Sequence, residues 1–272
     1  MKKYLIKPGS KFKLKKIDPS DTGDYPDNEA GKEEAAAQTQ KLLTKLDNLQ
    51  ELLFASAKRS LLIVLQAMDT GGKDGTIKHV MGGVNPQGCK VASFKVPTPL
   101  EASHDFLWRI HREVPPKGYI GIFNRSHYED VLVTRVHGLI SKKEQEKRFK
   151  EINDFEKMLQ QDGTTVLKFF LHISKEEQRK RLLERARDPK KHWKFNINDV
   201  KERKYWDAYQ KTFEETIEAT STSHAPWIVV PANNKWYRNY VVGKWVVKTL
   251  ENLDLKYPPA PAGIDFKKIQ IK

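Results

Sequence analysis

The chain has 272 residues, enough for one large α/β domain, and its 38% hydrophobic content suffices for a proper core. A formal charge of +14, from 49 lysines and arginines against 35 aspartates and glutamates, calls for an anionic partner: nucleic acid, anionic lipid or a phosphate-rich small molecule. The single cysteine, Cys89, excludes an intramolecular disulfide and a cysteine-based zinc cluster, and fits a reducing, cytoplasmic setting.

The opening Met1-Lys2-Lys3-Tyr4-Leu5-Ile6-Lys7-Pro8 is basic, but no apolar stretch of the kind a secretory signal needs follows it. The longest pure aliphatic run, Leu61 to Leu65, falls far short of the roughly 20 residues that cross a bilayer. A soluble protein with no membrane partner is expected. Residues 1–30 mix lysines and aspartates with Pro19, Gly23 and Pro26 and keep no period, which predicts an irregular arm lying over the domain. Leu42, Leu46, Leu49 and Leu53 then give the stripe of an amphipathic helix.

Leu61-Leu62-Ile63-Val64-Leu65, closed by Asp69-Thr70-Gly71-Gly72, reads as a strand buried on both faces, and so as part of a parallel sheet. Four further strands are expected at Val91–Phe94, Tyr119–Phe123, Thr165–Leu171 and Trp227–Val230. Between them Thr98, Ser141 and Ser174 each precede a glutamate by three residues, the capping-box pattern, and Pro99 takes the first helical position after Thr98. Phe149, Ile152, Phe155 and Met158 predict the apolar face of one helix, and Val241, Trp245, Val246, Leu250 and Leu253 that of another. Strands alternating with helices predict a doubly wound α/β sandwich of about five parallel strands in a single domain over residues 31–255, and Pro258-Pro259-Ala260-Pro261 marks a tail at 256–272.

Three segments carry the chemistry. Gln66 to Ile77 leaves the first strand through Gly71 and Gly72 and enters a helix at Lys73. Backbone N–H groups of such a turn, with the positive end of a helix dipole, cradle phosphate, and the lysine reaches bridging phosphates. Ala67 stands where the standard phosphate loop has its first glycine, and Asp74 replaces the metal-binding hydroxyl. Asp69 and Asp74 flank the lysine and suit a divalent metal, Mg²⁺. Asn124-Arg125-Ser126-His127-Tyr128-Glu129-Asp130 follows the third strand and emerges on the same sheet edge. There Arg125 can neutralise a transferring phosphoryl group, and Glu129 or Asp130 can hold metal or orient an acceptor, while His127 is read as structural. Residues 175–194 carry nine basic against four acidic side chains, which suits a lid, about 174–200, closing on a polyanion.

Met68-Asp69-Thr70-Gly71-Gly72-Lys73-Asp74-Gly75-Thr76, Phe123 to Asp130, and Asp188-Pro189 with Trp193-Lys194 together resemble the polyphosphate kinase 2 family over roughly Asp18 to Leu253. The resemblance implies a P-loop kinase-like three-layer α/β/α sandwich with a helical lid, Mg²⁺ dependence, and reversible phosphoryl transfer between inorganic polyphosphate and adenine nucleotides. It places Asp69 and Lys73 in the phosphate and metal site, with Gly71, Gly72, Asp74, Gly75 and Thr76 around the phosphates. It assigns Arg125 to the transferring phosphate and Arg181 and Arg185 to the lid. Asn124, where many members have aspartate, combined with Glu129, resembles the class III subgroup, which phosphorylates both AMP and ADP. A homodimer or homotetramer is implied too. Two other readings compete. An NTP-dependent nucleoside monophosphate kinase shares the loop but needs no such basic surface, and a nucleic-acid-binding protein leaves Asp69, Glu129 and Asp130 unexplained.

Overall fold

A computed structural model of the chain describes residues 2–264 and 266–271. The chain runs α1 (Glu29–Ser56), β1 (Ser60–Ala67), α2 (Lys73–Val80), β2 (Cys89–Ser93), α3 (Pro99–Ala102), α4 (Trp108–His111), β3 (Ile120–Asn124), α5 (Val133–Val136), α6 (Lys142–Gln161), β4 (Thr164–His172), α7 (Lys175–Arg187), α8 (Ile197–Glu202), α9 (Trp206–Thr220), β5 (Trp227–Pro231) and α10 (Lys235–Glu251). All five expected strands are present, paired in parallel in the order β2-β3-β1-β4-β5. Helices α1, α2 and α10 pack together on one side, and α5, α6 and α9 on the other, giving the three-layer sandwich.

This order decides where a ligand can sit. The chain leaves central β1, builds outward to β2 and β3, and then crosses to β4 on the other flank, so its direction reverses around β1. The crevice at the carboxyl ends of β1, β3 and β4 is the place where doubly wound sheets bind ligands.

Every residue of β1 is buried, as its unbroken apolar run requires. In α6 the buried stripe is Phe149, Ile152, Phe155 and Leu159, whereas Met158, expected inside, is 43% exposed. A step of four from Phe155 stays on the face at 3.6 residues per turn, and a step of three leaves it. The hydroxyl caps form at all three sites, but only Thr98 completes the reciprocal box with Glu101. Glu144 and Glu177 turn instead to arginines four residues on, Arg148 and Arg181.

The N-terminal arm is more than a cover. Leu5 bridges Ile228 of edge strand β5, Ile6 N–H donates to Trp227 O at 2.9 Å, and Tyr4, Ile6, Phe12, Leu14 and Ile17 are buried in the core. Its backbone N–H groups at Phe12 and Leu14 donate to Glu218 and Glu214 of α9. Pro258 to Gly263 are exposed, and Tyr257 donates to Glu51 of α1. No described helix is long and apolar enough to cross a membrane.

Candidate active site

The loop between β1 and α2 is shaped by its smallest residues. A Cβ at Gly71 would strike Ala67 and the Met68 carbonyl, and Gly72, at φ 105°, caps α2 in a backbone conformation that L side chains rarely adopt. Thr70 and Arg125 have left-handed φ of 60° and 64° without being glycine. Such backbone costs roughly 1–2 kcal/mol per residue and gathers at functional sites. Thr70 Oγ1 is also buried with no partner among the described residues.

Lys73 opens α2 and lies almost wholly out of solvent, its ammonium 3.4 Å from the Ala67 carbonyl. Burial first, and then the Arg125 charge, hold it below the ordinary lysine value, against the pull of Asp69, Glu129 and Asp74. Arg125 donates from Nη2 to Asp69 Oδ1 at 3.0 Å. Burial works against its charge, but Glu129, Asp69 and Asp199 outweigh burial and raise it. Asn124 Nδ2 donates to Asp74 Oδ1 at 2.8 Å and ties the end of β3 to the start of α2.

Burial raises the Glu129 carboxyl above its ordinary value, although Arg125 and Lys73 oppose this. With the Gln66 amide turned to satisfy both neighbours, its nitrogen donates to Glu129 Oε1 at 3.0 Å and its oxygen accepts from Ser126. Asp130 faces away, toward Arg109 at 3.4 Å, so Glu129 is the carboxylate that the β3 loop presents to the crevice.

These residues line two clefts. One, of about 430 Å³, is walled by Asp69 to Gly75, Ser93 to Lys95, Asn124, Arg125, Arg185, Lys194 and Asp199. The other, of about 360 Å³, is more apolar: Met68, Val96, Leu132, Val133, Tyr209 and Phe213 stand beside Glu129, His137 and Glu202. Asp69, Arg125 and Asp199 belong to both walls. Both volumes lie within the roughly 300–1,000 Å³ typical of small-molecule sites.

Asp69, Gly71, Gly72, Lys73, Asp74, Gly75, Asn124, Arg125 and Arg185 thus meet at one cleft, and Glu129 at its neighbour. Two expected site residues stand back. Thr76 is buried and its hydroxyl donates to Gly72 O at 3.0 Å. Arg181 has all five N–H groups engaged by the protein: Nε to Glu177 at 2.7 Å, Nη1 to Thr70 O and Gly71 O at 3.1 Å each, Nη2 to Ala232 O and Asn233 O at 2.6 and 3.0 Å. It grips the phosphate loop from behind and faces neither cleft.

Asp199 escaped sequence reasoning. It sits in the first turn of a short helix in a charged stretch with no motif of its own, yet burial and the Asp69 charge raise its carboxyl, and Arg185 stands 3.6 Å away. Lys194 lies 4.0 Å from Asp74, with its ammonium over the exposed ring of Trp193.

The sequence profile of the family described as polyphosphate kinase 2 matches residues 29–258. The chain belongs to this family. It is 53% identical over 258 residues to a protein of Meiothermus ruber named AMP/ADP-polyphosphate phosphotransferase, covering 95% of this chain and 96% of that one. An ADP-polyphosphate phosphotransferase of Rhodopseudomonas palustris is 46% identical, covering 79% and 78%. The crystal structure of polyphosphate kinase 2 from Arthrobacter aurescens superposes with a TM-score of 0.90 at 45% identity, covering 97% of this chain and 92% of that one. Family membership and the sheet order agree on a P-loop kinase-like fold.

Proposed function

We propose that the protein transfers phosphoryl groups reversibly from inorganic polyphosphate to AMP and to ADP, making ATP from AMP in two steps. The observation that carries this reading is the wall of Asp69, Arg125 and Asp199 shared by a cationic cleft and a more apolar one. The cationic cleft, with the loop amides, Lys73, Lys95, Arg185 and Lys194, suits a polyphosphate chain. The apolar cleft suits a nucleoside, whose phosphate then reaches the shared wall. The names of the relatives support the same pair of substrates.

An oxygen of the nucleotide phosphate attacks the terminal phosphorus of the chain, the bridging P–O bond breaks, and the chain leaves one unit shorter. A phosphate monoester loses its second proton near about pH 6, so the nucleophile is already ionised and no general base is required. Positioning and charge neutralisation remain. Lys73 and Arg125 do this at the transferring group, and the loop N–H groups hold the donor. Arg185, on α7, lies on the face that a closing lid would bring to the chain.

The residues fit Mg²⁺. The Asp69 charge adds to burial in raising both the Glu129 and the Asp199 carboxyls, a repulsion that a divalent cation relieves, and Thr70 Oγ1 lacks a partner among the described residues. Asp69 would hold the ion, with Glu129 or Asp199 beside it. Few protein ligands suffice, because Mg²⁺ in such sites takes one or two carboxylates plus substrate phosphates. When bound, it neutralises charge building on the phosphate oxygens. The protein is expected to act in the cytoplasm as a homodimer or homotetramer, without nucleic acid.

Offering polyphosphate and ATP separately as donors to AMP, with adenylate kinase removed, tests the reading. Polyphosphate should be much the better donor; ATP working well while polyphosphate is inert would establish the NTP-dependent kinase instead.

A further inference from the structure

Arg238, in the first turn of α10, is 2% exposed, and a buried arginine ordinarily has a carboxylate beside it. Its Nε and Nη2 both donate to one neutral acceptor, Asn239 Oδ1, at 3.2 and 2.9 Å. Among the described residues no carboxylate pairs with it, and the charge that bears on it is a second cation, Arg181. Burial, and then Arg181, push the guanidinium down to about 10, which leaves it charged at neutral pH.

Its place explains what such a charge can do. A Cβ on Gly72 would strike Arg238 Nη1 and stand 3.5 Å from Arg181 Nη1, and one on Gly75 would stand 3.4 Å from Arg238 Nη2. Two buried guanidinium groups therefore press on the back of the phosphate loop where it has no side chains. Glu177, on Arg181 Nε, is the carboxylate that offsets one of them. The cleft itself is lined by Gly71, Gly72 and Gly75 but not by Arg238, so Arg238 lies behind the loop rather than inside the site. A buried charge without a counter-ion is strongly unfavourable to the fold, and solvent and salt screen it far less than a surface lysine.

We propose that Arg238 is a positioning residue that acts electrostatically through the phosphate loop, its uncompensated charge being matched by the polyanion bound on the loop's other face. The inference deepens the proposed function and rests on polyphosphate occupying that cleft. Because the charge is present whether or not transfer is under way, it strengthens binding of the chain more than it lowers the barrier to transfer. It also predicts opposite effects on stability and binding, which a packing role would not produce.

The test is calorimetric titration of the wild type, Arg238→Gln and Arg238→Lys with tripolyphosphate in magnesium buffer, without nucleotide, together with ligand-free melting temperatures and steady-state kinetics. Arg238→Gln should bind about tenfold more weakly, about 1.4 kcal/mol. It should melt no lower than the wild type, and its KM for polyphosphate should rise more than its kcat falls. Arg238→Lys, which keeps the charge, should stay within about threefold of wild-type affinity. Unchanged affinity in Arg238→Gln, or a lower melting point or failure to fold, would overturn the inference. A wild type that binds no tripolyphosphate would overturn the proposed function itself, and this inference with it.

Discussion

Lys73, Arg125 and Glu129 sit in a site that the fold maintains against its own stability: a buried ammonium, a non-glycine residue at φ 64° and a carboxyl that burial drives toward protonation. Such residues are retained for chemistry, and their variants separate activity from stability. Lys73→Met should lose about 100- to 1,000-fold in turnover while keeping wild-type circular dichroism, on the scale of removing one preorganised donor. Glu129 has a raised folded pKa, so its contribution disfavours the fold increasingly as pH climbs from the ordinary 4.5 through the raised value. Glu129→Gln should therefore melt higher than the metal-free wild type at about pH 7, and that advantage should vanish toward about pH 4, where both side chains are neutral. An advantage that persists in acid would contradict the burial argument. At this scale the motif residues were legible, because Gly71-Gly72-Lys73 and Asn124-Arg125 carry their geometry in adjacent letters. Asp199 and Arg238 were not: each meets the loop across a large gap in sequence, from a helix whose local pattern is ordinary.

Among the elements, the strands announced themselves through short runs rich in apolar residues. β2 was the faintest, since it is an edge strand whose Val91 lies half exposed. The charged stretch after Ser174 hid two different jobs. Arg185 reaches the cleft, whereas Arg181, four residues earlier, fastens α7 to the phosphate loop and to the residues after β5. No property of the sequence distinguishes two arginines one turn apart. A second fastening holds the loop after β3. Glu156 of α6 accepts from Tyr128 at 2.8 Å and from Lys168 of β4 at 2.6 Å, with His127 at 3.2 Å, and both members of the ion pair are fully buried. Although burial opposes it, Lys168 and His127 hold the Glu156 carboxyl below its ordinary value, so its stabilisation is complete above 4.5 and is lost as pH falls below that. Glu156→Gln leaves Lys168 buried without its counter-ion, and should cost about 3–5 kcal/mol in urea unfolding. The double variant Glu156→Gln, Lys168→Met should recover part of that loss; a double variant no more stable than the single would remove the ion pair from the account.

Across the whole molecule, the arm and the charge matter most. The arm lacks any period because its few buried residues, Tyr4, Ile6, Phe12, Leu14 and Ile17, are anchored one at a time to β5, α9 and α10, and sequence patterns cannot show that. Deleting residues 1–20 would uncover the outer edge of β5, and should lower the melting temperature and promote aggregation, read by light scattering against temperature. The charge of +14 has a kinetic counterpart. If cations steer and hold a polyanion, raising salt should increase the KM for polyphosphate well before it affects the KM for AMP. The central claim, two substrates meeting at the wall of Asp69, Arg125 and Asp199, is tested most directly by following AMP with long-chain polyphosphate and Mg²⁺ over time. The account predicts that ADP appears first and ATP after it, with Lys73→Met forming both at least about 100-fold more slowly; no nucleotide product from the wild type, or undiminished product from that variant, would contradict it.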